Sequence, residues 1–127
     1  MKVSVTSYSY SQVIGKDGFT IYDAMTHAKN IGIEGFEFAG ITPPEGMTGI
    51  EYAKELKAYS ESIGLPIVAF LTGANFGNRD LDAEVERLCG DVDIAQALGV
   101  PVMRHDVASG IPDWFEGVRT YGTILPR

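Results

Sequence analysis

The sequence predicts an α/β fold built of (β/α) repeats, with a parallel sheet and crossover helices. Three segments carry that prediction: Ile31-Gly32-Ile33-Glu34-Gly35-Phe36-Glu37-Phe38, Ile63-Gly64-Leu65-Pro66-Ile67-Val68-Ala69-Phe70 and Leu98-Gly99-Val100-Pro101-Val102-Met103-Arg104-His105. Each ends a helix-like stretch with Gly and runs at once into a strand-like one. A Gly just past a helix takes the left-handed conformation without a Cβ penalty and satisfies the last carbonyls. The apolar run after it suits a strand buried on both faces. A strand-helix unit recurring every ~30 to 35 residues is the mark of a parallel sheet with crossovers. Function in such folds gathers at the carboxyl ends of the strands.

Strand 1 is expected from Val3 to about Tyr8. Helix 1 should start at Thr20, whose hydroxyl caps it, with Asp23 completing a capping box. Ile21, Ala24, Met25, Ala28 and Ile31 form its apolar stripe at helical spacing. Helix 2 repeats the device, with Thr48 as cap, Glu51 answering, and Tyr52, Leu56, Tyr59 and Ile63 as the stripe. Helix 3 is expected from Leu81 to Leu98, burying Leu81, Val85, Leu88, Val92, Ala95 and Leu98. Gly90 interrupts it at a cost of about 1 kcal/mol relative to Ala. Strand 4 runs from Val100 to about His105, and Trp114 to Leu125 reads as the approach to a fourth, partial helix. The loops after the strands are long and polar, whereas those leading into them are one or two residues, which is the asymmetry of a (β/α) enzyme.

Composition narrows the function. The chain has 127 residues, 45% hydrophobic and 21% charged, which suits a single domain with a moderate core. The longest strongly apolar stretch, Pro66 to Leu71, is too short to span a membrane. The first residues lack the long apolar core of a signal peptide. The single cysteine, Cys89, excludes an internal disulfide and reads as a small packing residue on a helix, with a reactive thiol as the alternative. These features lead us to expect a cytoplasmic protein. A net charge of −7 with scattered basic residues argues against nucleic acid as a partner, because affinity there comes from Lys and Arg on phosphates. A small polar metabolite is the expected ligand.

Val5-Thr6-Ser7-Tyr8-Ser9, Gly32-Ile33-Glu34-Gly35-Phe36-Glu37 and Val102-Met103-Arg104-His105-Asp106, on strands 1, 2 and 4, resemble the xylose isomerase-like TIM barrels. That family comprises sugar and sugar-phosphate isomerases and epimerases and also the endonuclease IV-type repair enzymes. The resemblance runs in register from strand 1 to Arg127 and covers the N-terminal half of the family fold. It implies residues 1–127 as a single partial domain. Half of a TIM barrel would have four parallel strands, three complete helices and a fourth partial one, since a whole barrel takes about 250 residues. The resemblance further implies a metal-dependent enzyme of carbohydrate metabolism. The divalent ion (Mn, Mg, Co or Zn) is held mainly by Glu, Asp and His from strands of the other half, so no metal site is expected in this chain alone. Endonuclease IV-type members use His on strands 3 and 4. Strand 3 here ends Phe70-Leu71-Thr72-Gly73-Ala74-Asn75 without one, which together with the acidic charge sets DNA repair aside.

Glu37 is the sharpest candidate, a carboxylate between Phe36 and Phe38 near the end of a buried strand. It is costly there unless paired or hydrogen-bonded. It faces substrate, or lies at the strand's exposed lip, or forms a structural pair with a neighbouring-strand Arg such as Arg104. Arg104-His105-Asp106 places three ionisable groups at the end of strand 4, with alternation putting Arg104 and Asp106 on one side. An Arg at a barrel mouth suits a substrate phosphate or carboxylate. His105 is a proton shuttle, a metal ligand or a structural hydrogen-bonder. Ser7 and Tyr8 end strand 1, where hydroxyls meet either sugar or water, and Trp114 either stacks on a sugar ring or packs its loop down. His27 falls off the helix 1 stripe and is expected to be exposed. No P-loop, nucleophile elbow, zinc-spaced Cys/His set or dinucleotide fingerprint is present.

The expected role is therefore the substrate-contacting half of a sugar isomerase or epimerase, inactive alone, with a sugar as ligand. Two rivals belong to other classes. One is a flavodoxin-like binding module, in which Ser7, Ser9 and Ser11 cradle a phosphate. The other is a non-catalytic half-barrel that acts only in assembly, forming homo-oligomers through its exposed sheet edges.

Overall fold

A computed structural model describes residues 2–76 and 80–107. Along the chain lie β1 (Ser4–Thr6), a 3-10 helix (Ser7–Tyr10), α1 (Ile21–Asn30), β2 (Gly35–Ala39), α2 (Gly49–Ile63), β3 (Ile67–Thr72), α3 (Leu81–Leu98) and β4 (Met103–His105). The four strands form one sheet in the order β1-β2-β3-β4, and every pair is parallel. The expected partial helix from Trp114 lies outside the described residues.

Local chemistry sets the helix ends. Thr20 accepts the Asp23 amide while the Asp23 carboxylate accepts the Thr20 amide, and Thr48 and Glu51 repeat the exchange. These bonds hold the Asp23 and Glu51 carboxyls below the ordinary carboxylate range. At their C-terminal ends, α2 and α3 stop on Gly64 (φ 64°) and Gly99 (φ 74°), left-handed positions that disfavour any residue with a Cβ.

Register decides which residues face which way. Phe36, Phe38 and Phe70 are buried against Met25, Leu56, Leu65 and Leu98, so one face of the sheet packs on the helices. The intervening residues Thr6, Glu37, Ala69, Leu71 and Arg104 lie on the other face, because paired residues in a sheet share a side. That face carries no helix among the described residues. A register shift between Phe36 and Glu37 opposes an extra residue, Val68, and bends the sheet there.

Several expectations need correction. Strand 1 stops at Thr6, not Tyr8: the Thr6 hydroxyl accepts the Tyr8 amide at 3.3 Å and turns the chain into the 3-10 helix. Ile31 is exposed at the C-cap of α1. On α3, Leu81, Val85 and Val92 are exposed and only Leu88, Ala95 and Leu98 of the expected set are buried. The helix is rotated so that Glu84, Leu88, Asp91, Ala95 and Leu98 form its inward stripe. Cys89 is also exposed, beside that stripe and not within it. The flavodoxin-like alternative fails on topology: its sheet order is 2-1-3-4-5 with helices on both faces, whereas here the order is sequential and α1 to α3 share one core.

Candidate functional site

Four strand ends open onto one concave surface. A cavity of about 440 Å³ lies there, lined by Thr6 and Tyr8 after β1, Ala39 and Gly40 at the end of β2, Leu71, Thr72 and Gly73 on β3, and Arg104 and Asp106 on β4. Alternation explains how Arg104 and Asp106 come together: they are two apart on an extended segment and project to the same side. The Asp106 amide donates to Thr72 O at 3.2 Å, which anchors the end of β4 and leaves the carboxylate to the cavity. The lining thus offers a guanidinium, a carboxylate and three hydroxyls, a set suited to a small polyhydroxy anion.

Glu37 occupies the same open face without lining that cavity. Its Oε1 accepts the Ser4 hydroxyl at 2.5 Å, which draws the carboxylate along β1 toward the amino ends of the strands. Arg104 and Glu37 form no ion pair with each other. Ser7 is buried, and its Oγ accepts the Ala39 amide at 2.9 Å, so it holds the end of β2 to the 3-10 helix. It lines a second cavity of about 580 Å³ on the helix side, walled by Phe38, Tyr22, Tyr52 and Leu56. Tyr8, 74% exposed, borders both cavities.

His105 points away from Arg104. Its Nδ1 lies 2.7 Å from Asp106 O and its ring meets Phe76 edge-on at 5.9 Å, so it braces the β3 and β4 loops. His27 is exposed as expected and shares a 3.1 Å hydrogen bond with the Tyr10 hydroxyl. Trp114 lies outside the described residues. Among the described residues no three His, Cys, Asp or Glu side chains converge to hold a metal ion.

Sequence reasoning missed the cluster that shapes the mouth. Arg87 on α3 bonds Glu84 at 2.8 and 3.0 Å, Asp91 at 2.6 Å and Gly73 O at 2.5 Å. Glu84 also accepts the Asn75 amide at 2.8 Å, and Asp91 accepts the Thr72 hydroxyl at 2.8 Å. These bonds tie α3 to the loop whose Thr72 and Gly73 line the mouth. The Arg87 guanidinium and the Asn75 amide lower the Glu84 carboxyl to about 2, and the same carboxylate raises Arg87. The signal available in the sequence was the three- and four-residue spacing of Glu84, Arg87 and Asp91, which places them on one side of a helix.

No protein-family model matches the chain, and no curated protein matches it. Among solved structures it is similar to the probable 3-DHS dehydratase AsbF, involved in petrobactin synthesis, from Bacillus anthracis. The TM-score is 0.65 at 18% identity. The match covers 83% of this chain and 38% of that one, which is a TIM barrel. The chain folds as half of a TIM barrel. The half-barrel places its open cavity at the carboxyl ends of its strands, the end that bears the active site in this fold. At this identity the likeness carries the architecture and not the reaction. No helix among the described residues is long and apolar enough to cross a membrane.

Proposed function

We propose that this half-barrel supplies the substrate contacts of a sugar or sugar-phosphate isomerase or epimerase. The observation that carries the reading is the juxtaposition of Arg104 and Asp106 with Thr6, Tyr8 and Thr72 around one cavity at the carboxyl ends of the strands. Arg104 takes a phosphate or carboxylate through paired N–H donors, and the carboxylate and hydroxyls order the sugar hydroxyls. Glu37 lies on the same face of the sheet, where its carboxylate accepts the Ser4 hydroxyl. The parent reaction moves a proton or hydride at a carbon beside the sugar carbonyl. This half binds and orients, while the metal ligands and proton-moving carboxylates belong to the complementary half. Alone, the chain binds without turnover, and its place is among cytoplasmic enzymes of carbohydrate metabolism.

The test is an amide-resolved NMR titration with xylose and with a ketose 5-phosphate. Binding of the phosphate in the millimolar range should shift the amides of Thr6, Thr72 and Arg104. Arg104→Ala should weaken it about tenfold, or ~1.4 kcal/mol. Shifts absent from these amides, or unchanged affinity in the variant, would leave the assembly role as the surviving reading.

A further inference from the structure

The mouth and the helix-side cavity are neighbours with shared walls. Tyr8, Ala39 and Gly40 line both, so the two hollows meet over the carboxyl ends of β1 and β2. The rim between them is low. Ala39 carries a single methyl group, and a Cβ added at Gly40 would meet nothing within 4 Å. Every wall of the helix-side cavity comes from residues 7–56, all of them described. Its volume of about 580 Å³ is that of a small-ligand site. Its chemistry differs from that of the mouth. Phe38, Ile41, Pro44 and Leu56 give it apolar walls, Tyr22 and Tyr52 add two rings, and no residue lining it is charged. Burial pushes both phenols above the ordinary tyrosine range, so they stay neutral. A charged group entering would lose its hydration without gaining a partner, whereas an aromatic ring would meet other rings. Ser7 supplies a polar handle. It is 8% exposed, its Oγ accepts the Ala39 amide, and among the described residues nothing accepts its proton.

We infer that the ligand of the mouth carries an uncharged aromatic group, which passes over Ala39 and Gly40 into the helix-side cavity. The inference rests on the reading of the mouth as a sugar-phosphate site and adds what lies at the sugar's other end. Continuity of the two hollows names the occupant. A group tethered to a sugar already held in the mouth enters the second cavity as an intramolecular step, at a high effective concentration. The order of the strands sets the layout of the ligand. Arg104 lies on β4 and Ala39 on β2, two strands away and so about 10 Å at the usual strand spacing. A phosphate held by Arg104 therefore sits at the far end of the sugar from the aromatic group. The ligand is thus an anion at one end and an uncharged ring at the other, with the sugar hydroxyls between.

The test compares methyl β-glucoside 6-phosphate with its phenyl and 4-carboxyphenyl counterparts, each titrated into the unaltered chain and followed by amide-resolved NMR. The methyl compound should move the amides of Thr6, Thr72 and Arg104 and leave those of Ser11, Ile41 and Tyr52 in place. The phenyl compound should bind about tenfold more tightly and move both sets. Nuclear Overhauser contacts from its ring protons to Ile14 and Ile41 should place the ring in the helix-side cavity. The carboxyl group of the third compound should abolish the gain, because the cavity offers no partner for a charge. Equal affinity of the methyl and phenyl compounds overturns the inference and leaves the proposed function standing. So does a gain that survives the added carboxylate, or a phenyl compound whose shifts stay within the mouth. Compounds that move no amide of the mouth overturn the proposed function and this inference together.

Discussion

The Thr72 hydroxyl donates a 2.8 Å hydrogen bond to the Asp91 carboxylate, joining the last residue of β3 to the middle of α3. Both ends matter at once. Thr72 lines the mouth cavity, and Asp91 is held in turn by Arg87, which also reaches Gly73 O. The position of the β3 loop therefore depends on a network of charges on α3, and so does the shape of the mouth.

The same network sets an acid sensitivity. Glu84 titrates near 2 when folded, against 4.5 for an unperturbed Glu, because Arg87 and the Asn75 amide favour its charged form. A folded value below the unfolded one gives stability that is present above pH 4.5 and is lost as pH falls toward 2. Urea unfolding followed between these limits should show the decline, and Glu84→Gln should flatten it. An equal slope in the variant would assign the acid sensitivity to other carboxylates.

Glu37→Gln keeps the volume of the side chain and an oxygen for the Ser4 hydroxyl. Its stability should stay within about 0.5 kcal/mol of the parent, as for a substitution that breaks no buried contact. In a complete barrel, binding or turnover of the sugar should fall. A collapse in melting temperature with unchanged kinetics per folded molecule would make the residue purely structural.

Leu56→Ala removes a fully buried side chain from the joint core of helices and sheet and should cost about 2 to 5 kcal/mol. Val92→Ser, at a position 55% exposed, should change stability by no more than about 0.5 kcal/mol. Denaturant midpoints of the two variants measure the contrast directly. A large loss in the serine variant would mean that Val92 is covered in solution.

Much of the fold was legible because its signals are local. The capping boxes of Thr20 with Asp23 and Thr48 with Glu51 span three residues, and the bonds they predict are those observed. Gly64 and Gly99 stop their helices in the left-handed conformation that the sequence pattern implied. Alternation likewise puts Arg104 and Asp106 on one side of the β4 segment, and both line the mouth cavity.

The face of α3 was not legible by the same means. Apolar spacing selected Leu81, Val85, Leu88, Val92, Ala95 and Leu98, of which Leu88, Ala95 and Leu98 are buried, and the helix turns Glu84 and Asp91 inward in place of Leu81, Val85 and Val92. Hydrophobicity alone reads a carboxylate as an outward residue. Here Arg87, the Thr72 hydroxyl and the Asn75 amide satisfy two carboxylates and remove the cost of turning them in. Ser7 and Glu37 followed the same rule. Each was legible as a polar residue at a strand, but Ser7 came to hold the Ala39 amide and Glu37 the Ser4 hydroxyl. Those partners lie more than 30 positions away in the chain. Helix ends and side-chain alternation follow from neighbours a few residues apart, and the sequence by itself determined them. Which polar groups turn inward, and what they hold, follows from partners that only the packing of β3 on α3 and β1 on β2 brings within reach.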